Sequence, residues 1–184
     1  MKIKWNQIAW RNIDDKIDFY QTPRWCTEKL LERENFSGSI LEPCSGAGAI
    51  SKMLEGKWFV VNSQDIRTDE SVYWEKWLDF FLDNTNTDNI ITNPPYFCAK
   101  DFIVKALSVS NKKVAMLLKL CFLESVDRYE FFRNTPLKKV YVFCKRITMY
   151  PEWAEVPKNS GTIAYAWYIW EKWYTWQPTI DWII

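Results

Sequence analysis

Residues 39–54 read SILEPCSGAGAISKML, a pattern typical of a β-strand followed by a turn and an α-helix. A short apolar run at 39–43 contains an acidic residue near its end, and a turn with two glycines separates it from a helical pattern at 50–54. Glycines at such a turn let the backbone approach a ligand at a helix N-terminus, although an ordinary βα connection has the same appearance. The stretch lacks GxxxxGK[ST] and a third dinucleotide-type glycine, which favours a nucleoside without phosphates as the ligand.

Apolar segments on either side continue an alternation of strands and helices. Further strands are predicted at 57–63, 88–92, 113–118, 139–143 and 162–170. Helices are predicted at 24–34, 99–109 and 125–134. The segment 71–82 is predicted to be helical in part, and residues 79–81 fit a short strand or turn equally well. The alternation predicts an α/β fold with parallel strands. The segment between Asp65 and Asp79 is short for a complete helix and strand, so we expect an abbreviated sheet edge.

The composition fits one compact domain and excludes several kinds of active site. The chain has 184 residues, 48% of them hydrophobic, and no histidine, which excludes Ser-His-Asp triads and HExxH zinc sites. Five cysteines never form CxxC, so neither a zinc ribbon nor a disulfide scaffold is expected, and no metal is predicted. The sequence shows no signal peptide or membrane span, and we expect a cytoplasmic protein with no membrane partner.

The most specific motif is Asn93-Pro94-Pro95-Tyr96, directly after the predicted strand 88–92. Two prolines stop both helix and ladder, and the rigid turn can aim the Asn93 side-chain oxygen and the Pro94 carbonyl at one point. Two converging acceptors suit a conjugated NH₂ group, whose lone pair they draw away from the ring. Tyr96 can then stack on the planar substrate.

With these motifs in this order, the chain resembles class I S-adenosylmethionine-dependent methyltransferases acting on amino groups, and is most similar to adenine-N6 DNA methyltransferases. The resemblance implies a Rossmann-like fold: a mostly parallel central sheet with an antiparallel C-terminal strand and helices on both faces. It implies that the catalytic residues are Asn93, Pro94, Pro95 and Tyr96. It implies a cofactor site made of Tyr20, Thr22 and Pro23, of Glu42, Pro43, Gly46 and Gly48, of Asp65 at the ribose, and of Ile66, Asp79 and Phe80 at the adenine.

No separate target-recognition domain follows Trp170, so we expect one domain over 1–184, with an N-terminal extension at 1–17 and a substrate-facing loop at 147–160. The residues predicted to contact the substrate are Tyr96, Lys145, Arg146 and Lys158. Compact relatives of this kind are often encoded by phages or prophages and act in the host cytoplasm. The expected partner is a nucleic acid, and DNA is favoured over RNA. A partner subunit that supplies sequence specificity is a further possibility.

The NPPY motif alone does not fix the substrate. Guanine N2 in RNA and glutamine in proteins are also conjugated amino groups, so RNA and protein methylation remain alternatives. DNA adenine ranks first because of the arrangement from Tyr20 to Tyr96, and RNA ranks second. A catalytically silent nucleic-acid-binding module with the same fold is the alternative from another class. The aromatic run 165–170 is predicted to be mostly core.

Overall fold

The computed structural model describes residues 20–149 and 161–184. Its α-helices are α1 (Arg24–Leu31), α2 (Ala49–Glu55), α3 (Ala99–Val109) and α4 (Val126–Arg133). Its strands are β1 (Ile40–Glu42), β2 (Val61–Ser63), β3 (Thr87–Thr92), β4 (Ser110–Lys119), β5 (Leu137–Phe143), β6 (Tyr165–Glu171) and β7 (Thr179–Ile183). Short 3₁₀ turns follow β3 and β4, at Tyr96–Cys98 and Leu120–Leu123.

The seven strands form one sheet in the order β2-β1-β3-β4-β6-β5-β7. Strand β6 is antiparallel to both β4 and β5, and all the other neighbouring pairs are parallel. The carboxyl ends of β1, β2, β3, β4, β5 and β7 therefore lie along one edge of the sheet, which is where ligands bind in open α/β sheets. The predicted α/β fold, with its mostly parallel sheet and antiparallel late strand, is confirmed.

The sheet is covered on both faces because its central strands are apolar on both sides. In β4, Val114 and Met116 belong to the core cluster that contains α3 and α4 residues, whereas Ala115 and Leu117 belong to the cluster that contains α1 and α2 residues. The same alternation runs through β6, where the aromatic residues predicted to be core are buried. Helices therefore cover both faces, as predicted, and the structure places α1 and α2 opposite α3 and α4.

Several predicted boundaries need correction. The strand predicted at 57–63 is confined to Val61–Ser63, and the one predicted at 162–170 runs over Tyr165–Glu171. Strand β7 was not predicted at all; it lies parallel to β5 at the sheet edge, so the antiparallel strand is not the last one in the chain. Its sequence, TIDWI, directly follows Pro178, a residue that disfavours a strand prediction. Most of its side chains are exposed, so it lacks the alternation of apolar and polar residues that identifies a half-buried strand.

The predicted partly helical segment 71–82 contains no helix. Trp74 and Trp77 have φ of 70° and 65°, in the left-handed region that a right-handed helix cannot include. The Glu75 amide donates to the Ser63 carbonyl at 3.3 Å and the Glu75 carbonyl accepts from the Asp65 amide at 3.0 Å. The segment therefore lies along the end of β2, and the sheet edge is abbreviated as expected.

In the described ranges 20–149 and 161–184, no helix combines the length and apolarity needed to cross a membrane. The same ranges contain no group of three or more His, Cys, Asp or Glu side chains placed to hold a metal ion. Most of the predicted substrate loop, including Lys158, lies outside the described residues, as does the predicted N-terminal extension.

Candidate active site

The glycine turn joins β1 to α2 at the carboxyl edge of the sheet. Gly48 has φ of 81°, and a Cβ there would lie 2.5 Å from Cγ of Tyr73, so only glycine fits beneath this ring. Glu42 is almost completely buried and accepts a hydrogen bond from Ser51, whose hydroxyl lies 2.6 Å from that of Ser63. Burial raises the pKa of the Glu42 carboxyl well above its usual range, which favours its neutral form.

Asp65, predicted to accept from ribose hydroxyls, is engaged by its own surroundings. One carboxylate oxygen accepts from the Gly46 amide at 2.8 Å, and the other accepts from the Arg67 amide at 2.9 Å. The Arg67 guanidinium lies 3.5 Å from the second oxygen. The structure therefore assigns Asp65 the task of fixing the glycine turn against the end of β2. Each oxygen keeps a second lone pair that a ligand could use.

A cleft that is open to solvent lies beside this turn. It brings together residues distant in sequence, among them Pro43, Ile66, Asp79, Phe80 and Pro95, all of which were predicted as site residues. The other lining residues are Cys44, Leu78, Phe81, Phe97, Cys98, Asp101 and Phe102. The walls are apolar and aromatic, with carboxylates at Asp79 and Asp101. This combination suits a planar heterocycle that carries an amino group.

Asn93 follows β3 and has one half of its amide fixed. Its Nδ2 donates to the Tyr20 carbonyl and to the Thr22 hydroxyl, both at 3.2 Å. A carbonyl oxygen can only accept, so these contacts set which side of the amide carries nitrogen. Asn93 Oδ1 consequently points elsewhere; it is buried and has no hydrogen-bond partner within residues 20–149 and 161–184. A buried acceptor without a partner is costly, and this one is ready for an N–H donor.

Tyr96 stands among aromatic and cationic neighbours. Its ring lies 6.5 Å from that of Tyr20 with an interplanar angle of 22°, and 6.0 Å from that of Tyr165. The Lys119 ammonium lies 4.7 Å from the centroid of the same ring. Tyr20 and Thr22 thus contact the NPPY motif, and Pro23 directly precedes α1. Pro94 is buried between Asn93 and Pro95.

Lys145 and Arg146 follow β5 at the same edge of the sheet. Both are exposed, Lys145 lies 5.5 Å from the Trp25 ring, and Arg146 donates to the Thr162 carbonyl at 3.2 Å. Strand β5 is three places from β3, so the carboxyl ends of these two strands lie about 14 Å apart across the sheet. Neither cation lines the cleft, and β5 is on the side of β4 away from it.

Sequence reasoning missed Lys119, Phe81, Phe97 and Phe102 as residues of this region, and it favoured a core role for most of the aromatic run that contains Tyr165. Lys119 had a signal, because it interrupts an apolar run where the strand ends. The phenylalanines had none, since single aromatic residues in a turn or helix read as ordinary core. Cys44, beside the turn, is half-buried, and desolvation raises the pKa of its thiol well above the usual range, so it is a poor nucleophile there.

Comparison with known proteins identifies the architecture. No family model matches the chain, and no curated protein matches it. Solved structures do match, with the neighbours described below. The fold is that of the class I S-adenosylmethionine-dependent methyltransferases.

Three neighbours of this methyltransferase fold illustrate its range. A proposed RNA methyltransferase from Pyrococcus horikoshii has a TM-score of 0.59 at 14% identity, over 85% of this chain and 88% of that one. The modification subunit of a proposed type I restriction enzyme from Vibrio vulnificus has a TM-score of 0.60 at 13% identity, over 94% of this chain and 49% of that one. A Plasmodium falciparum dimethyladenosine transferase has a TM-score of 0.54 at 16% identity, over 84% of this chain and 63% of that one.

Proposed function

We propose that this protein transfers a methyl group from S-adenosylmethionine to an exocyclic amino group, N6 of adenine in DNA. The observation that carries the proposal is Oδ1 of Asn93, which is buried, has no hydrogen-bond partner among the described residues, and lies at the carboxyl edge of the sheet two residues before Pro95 of the cleft wall. The structural neighbours have low sequence identity to this chain and show only its fold. The choice of substrate therefore depends on the residues of this site.

The cleft fits the cofactor that the fold implies. Its aromatic walls, with Phe80 and Phe102 rings 4.7 Å apart, suit an adenine, and the Asp79 carboxylate can accept from an adenine amino group. Ile66 would pack on the heterocycle, while Pro43, Gly46 and Gly48 would border the methionine end, together with Tyr20, Thr22 and Pro23. When bound, S-adenosylmethionine supplies an electrophilic methyl group.

Asn93 and Pro94 would act on the substrate by hydrogen bonding alone. Asn93 Oδ1 accepts one N–H of the amino group and the Pro94 carbonyl accepts the other, which draws the nitrogen lone pair out of conjugation and towards the methyl group. No general base is needed for this step, because the amino group loses its proton afterwards to solvent. The protein contributes orientation, in which Tyr20 and Thr22 hold the Asn93 amide in one setting.

The proposal predicts that Asn93→Ala lowers methyl transfer far more than it lowers cofactor affinity, which changes only through the lost contacts of Nδ2 with Tyr20 and Thr22. Removing an acceptor used only at the reacting nitrogen lowers the rate by about 10²–10³-fold or more, by analogy with other preorganised polar contacts. The assay measures labelled methyl from S-adenosylmethionine in duplex DNA, single-stranded DNA, RNA and protein in parallel. Calorimetry measures cofactor binding by the same samples.

Asn89 supplies a matched control on the same strand. Its Nδ2 donates to the Ser37 and Ser39 carbonyls and its Oδ1 is also buried without a partner, but it lies at the opposite end of β3. Asn89→Ala should lower the unfolding temperature and leave transfer by the folded protein near the wild-type rate. Equal losses of transfer in both variants, or parallel losses of transfer and cofactor binding in Asn93→Ala, would contradict the role of Asn93.

RNA is the second candidate substrate, because two of the three described neighbours are named for acting on RNA or adenosine. The same panel separates the two: label recovered as N6-methyladenine in DNA supports the proposal, and label recovered only in RNA replaces DNA with RNA. Cofactor binding without label in any substrate would favour a silent module.

A further inference from the structure

Lys119 is a cation placed directly on the ring of the proposed catalytic motif. It is the last residue of β4, and its ammonium lies 4.7 Å from the centroid of Tyr96. Its register partner on β6 is Tyr165, whose ring also contacts Tyr96 at 6.0 Å. Lys119 is half-buried, and its ammonium forms no ion pair or hydrogen bond with residues 20–149 and 161–184. Its contact within these ranges is therefore the aromatic ring of Tyr96.

This placement conflicts with a bound base. A planar base can stack on Tyr96 under Lys119 only when the ammonium has left, since both need the same face at van der Waals distance. A cation there would also oppose transfer, because the amino nitrogen beside Asn93 becomes positively charged as it gains the methyl group. The ammonium therefore has to move, and a lysine without an ion pair can do so without breaking one.

We propose that Lys119 covers the stacking face of Tyr96 in the free protein and moves onto a backbone phosphate of the extruded nucleotide when the base enters. This inference rests on the proposed function. A phosphate is the group that a nucleotide substrate brings next to its base, and a lysine ammonium is suited to it as a compact charge. Lys119 is a positioning residue by this account: it selects substrates whose amino group is attached to a phosphodiester chain.

The test is the salt dependence of DNA binding and the split between KM and kcat. Loss of one phosphate contact reduces the slope of log K against log salt by about 0.9 on duplex DNA or 0.7 on single strands. We expect K119M and K119Q to show this reduction and a KM for DNA raised about 5–30-fold, with kcat unchanged or higher. K119R should keep the wild-type slope. Methyl transfer to a free adenine nucleoside should be the same in all of these variants as in the wild type, because this substrate has no phosphate.

Lys172 provides the control, because its ammonium lies 6.0 Å from the Trp173 ring at the opposite edge of the sheet. K172M removes an ammonium near an aromatic ring without approaching the site, and it should leave the slope and KM at wild-type values. Wild-type transfer to DNA with an unchanged slope in both K119M and K119Q would overturn the inference and keep the proposed function. Absence of transfer by wild-type protein on every substrate would instead contradict the proposed function.

Discussion

At the scale of single residues, Glu42 makes the site sensitive to pH. Because burial holds its pKa well above the usual range, the folded state favours the protonated carboxyl, and this contribution to stability is fully present below the unfolded pKa. It is lost as pH rises from about 4.3, the ordinary value for Glu, through the folded pKa. Stability that Glu42 contributes therefore declines with rising pH.

Glu42→Gln should remove that decline, since an amide is neutral at every pH and can still contact Ser51. We expect the unfolding temperature of the variant to exceed that of wild type by several degrees at pH 8, with the two converging near pH 4; 1 kcal/mol corresponds to about 2–4 °C in a chain of this size. Thermal melts over pH 4–8 measure it. The exposed Glu70→Gln serves as control, and a constant offset between Glu42→Gln and wild type would contradict the explanation.

The sequence indicated which residues lie near the cleft better than it indicated their hydrogen-bond partners. The sequence indicated Asp79 and Phe80 as site residues from motif order, and both line the cleft. It did not reveal that both Asp65 oxygens accept backbone amides, from Gly46 and Arg67. An Asp oxygen that accepts from the amide two residues later is a local turn, whereas the contact with Gly46 depends on how β2 sits beside the glycine turn. The contact between Asp65 and Gly46 is tertiary, and no local sequence pattern predicts it.

At the scale of elements, β6 ties the sheet to helix α1. Trp167 is completely buried, and its Nε1 donates to the Cys26 carbonyl in α1 at 2.9 Å. We expect Trp167→Ala to cost about 3–5 kcal/mol of unfolding free energy and Trp167→Phe about 1–3, the latter mainly for the lost hydrogen bond. Urea unfolding measures both. Trp173→Ala, at an 85% exposed residue just after the strand, should stay within about 0.5 kcal/mol; similar costs at the two positions would contradict the assignment.

Elements with strong periodicity were predictable and segments that depend on partners were not. Helix α3 has its predicted bounds, because its apolar residues recur at helical spacing and Ser110 begins an extended strand. Segment 71–82 also has apolar residues, but the Glu75 and Leu78 amides bond to Ser63 and Asp65 rather than within a helix. Pairing with the end of β2 thus outweighed local helix propensity, which is a weak influence.

At the scale of the whole molecule, the site exists because parallel strands finish at one edge. The cleft is assembled from the turn after β1, the loop after β2, and the segment from β3 into α3, so its residues lie as far apart as Pro43 and Phe102. Motif order gave this assembly in outline. What it could not give is the unpredicted β7, whose exposed side chains do not show the alternation of a half-buried strand.

Ligand binding should therefore stabilise the fold as a unit, since a ligand in this cleft bridges segments that separate on unfolding. At a concentration 100 times its Kd, S-adenosylmethionine should add about 2.7 kcal/mol, which raises the unfolding temperature by about 5–11 °C. Asn93→Ala should retain this increase, because Asn93 is proposed to contact the methyl acceptor. Phe80→Ala should lose most of it, as Phe80 forms an aromatic wall of the cleft. Differential scanning fluorimetry over a cofactor titration measures all three. An unchanged unfolding temperature in the wild type would mean that the cleft takes another ligand, and retention of the full increase in Phe80→Ala would place the cofactor outside it.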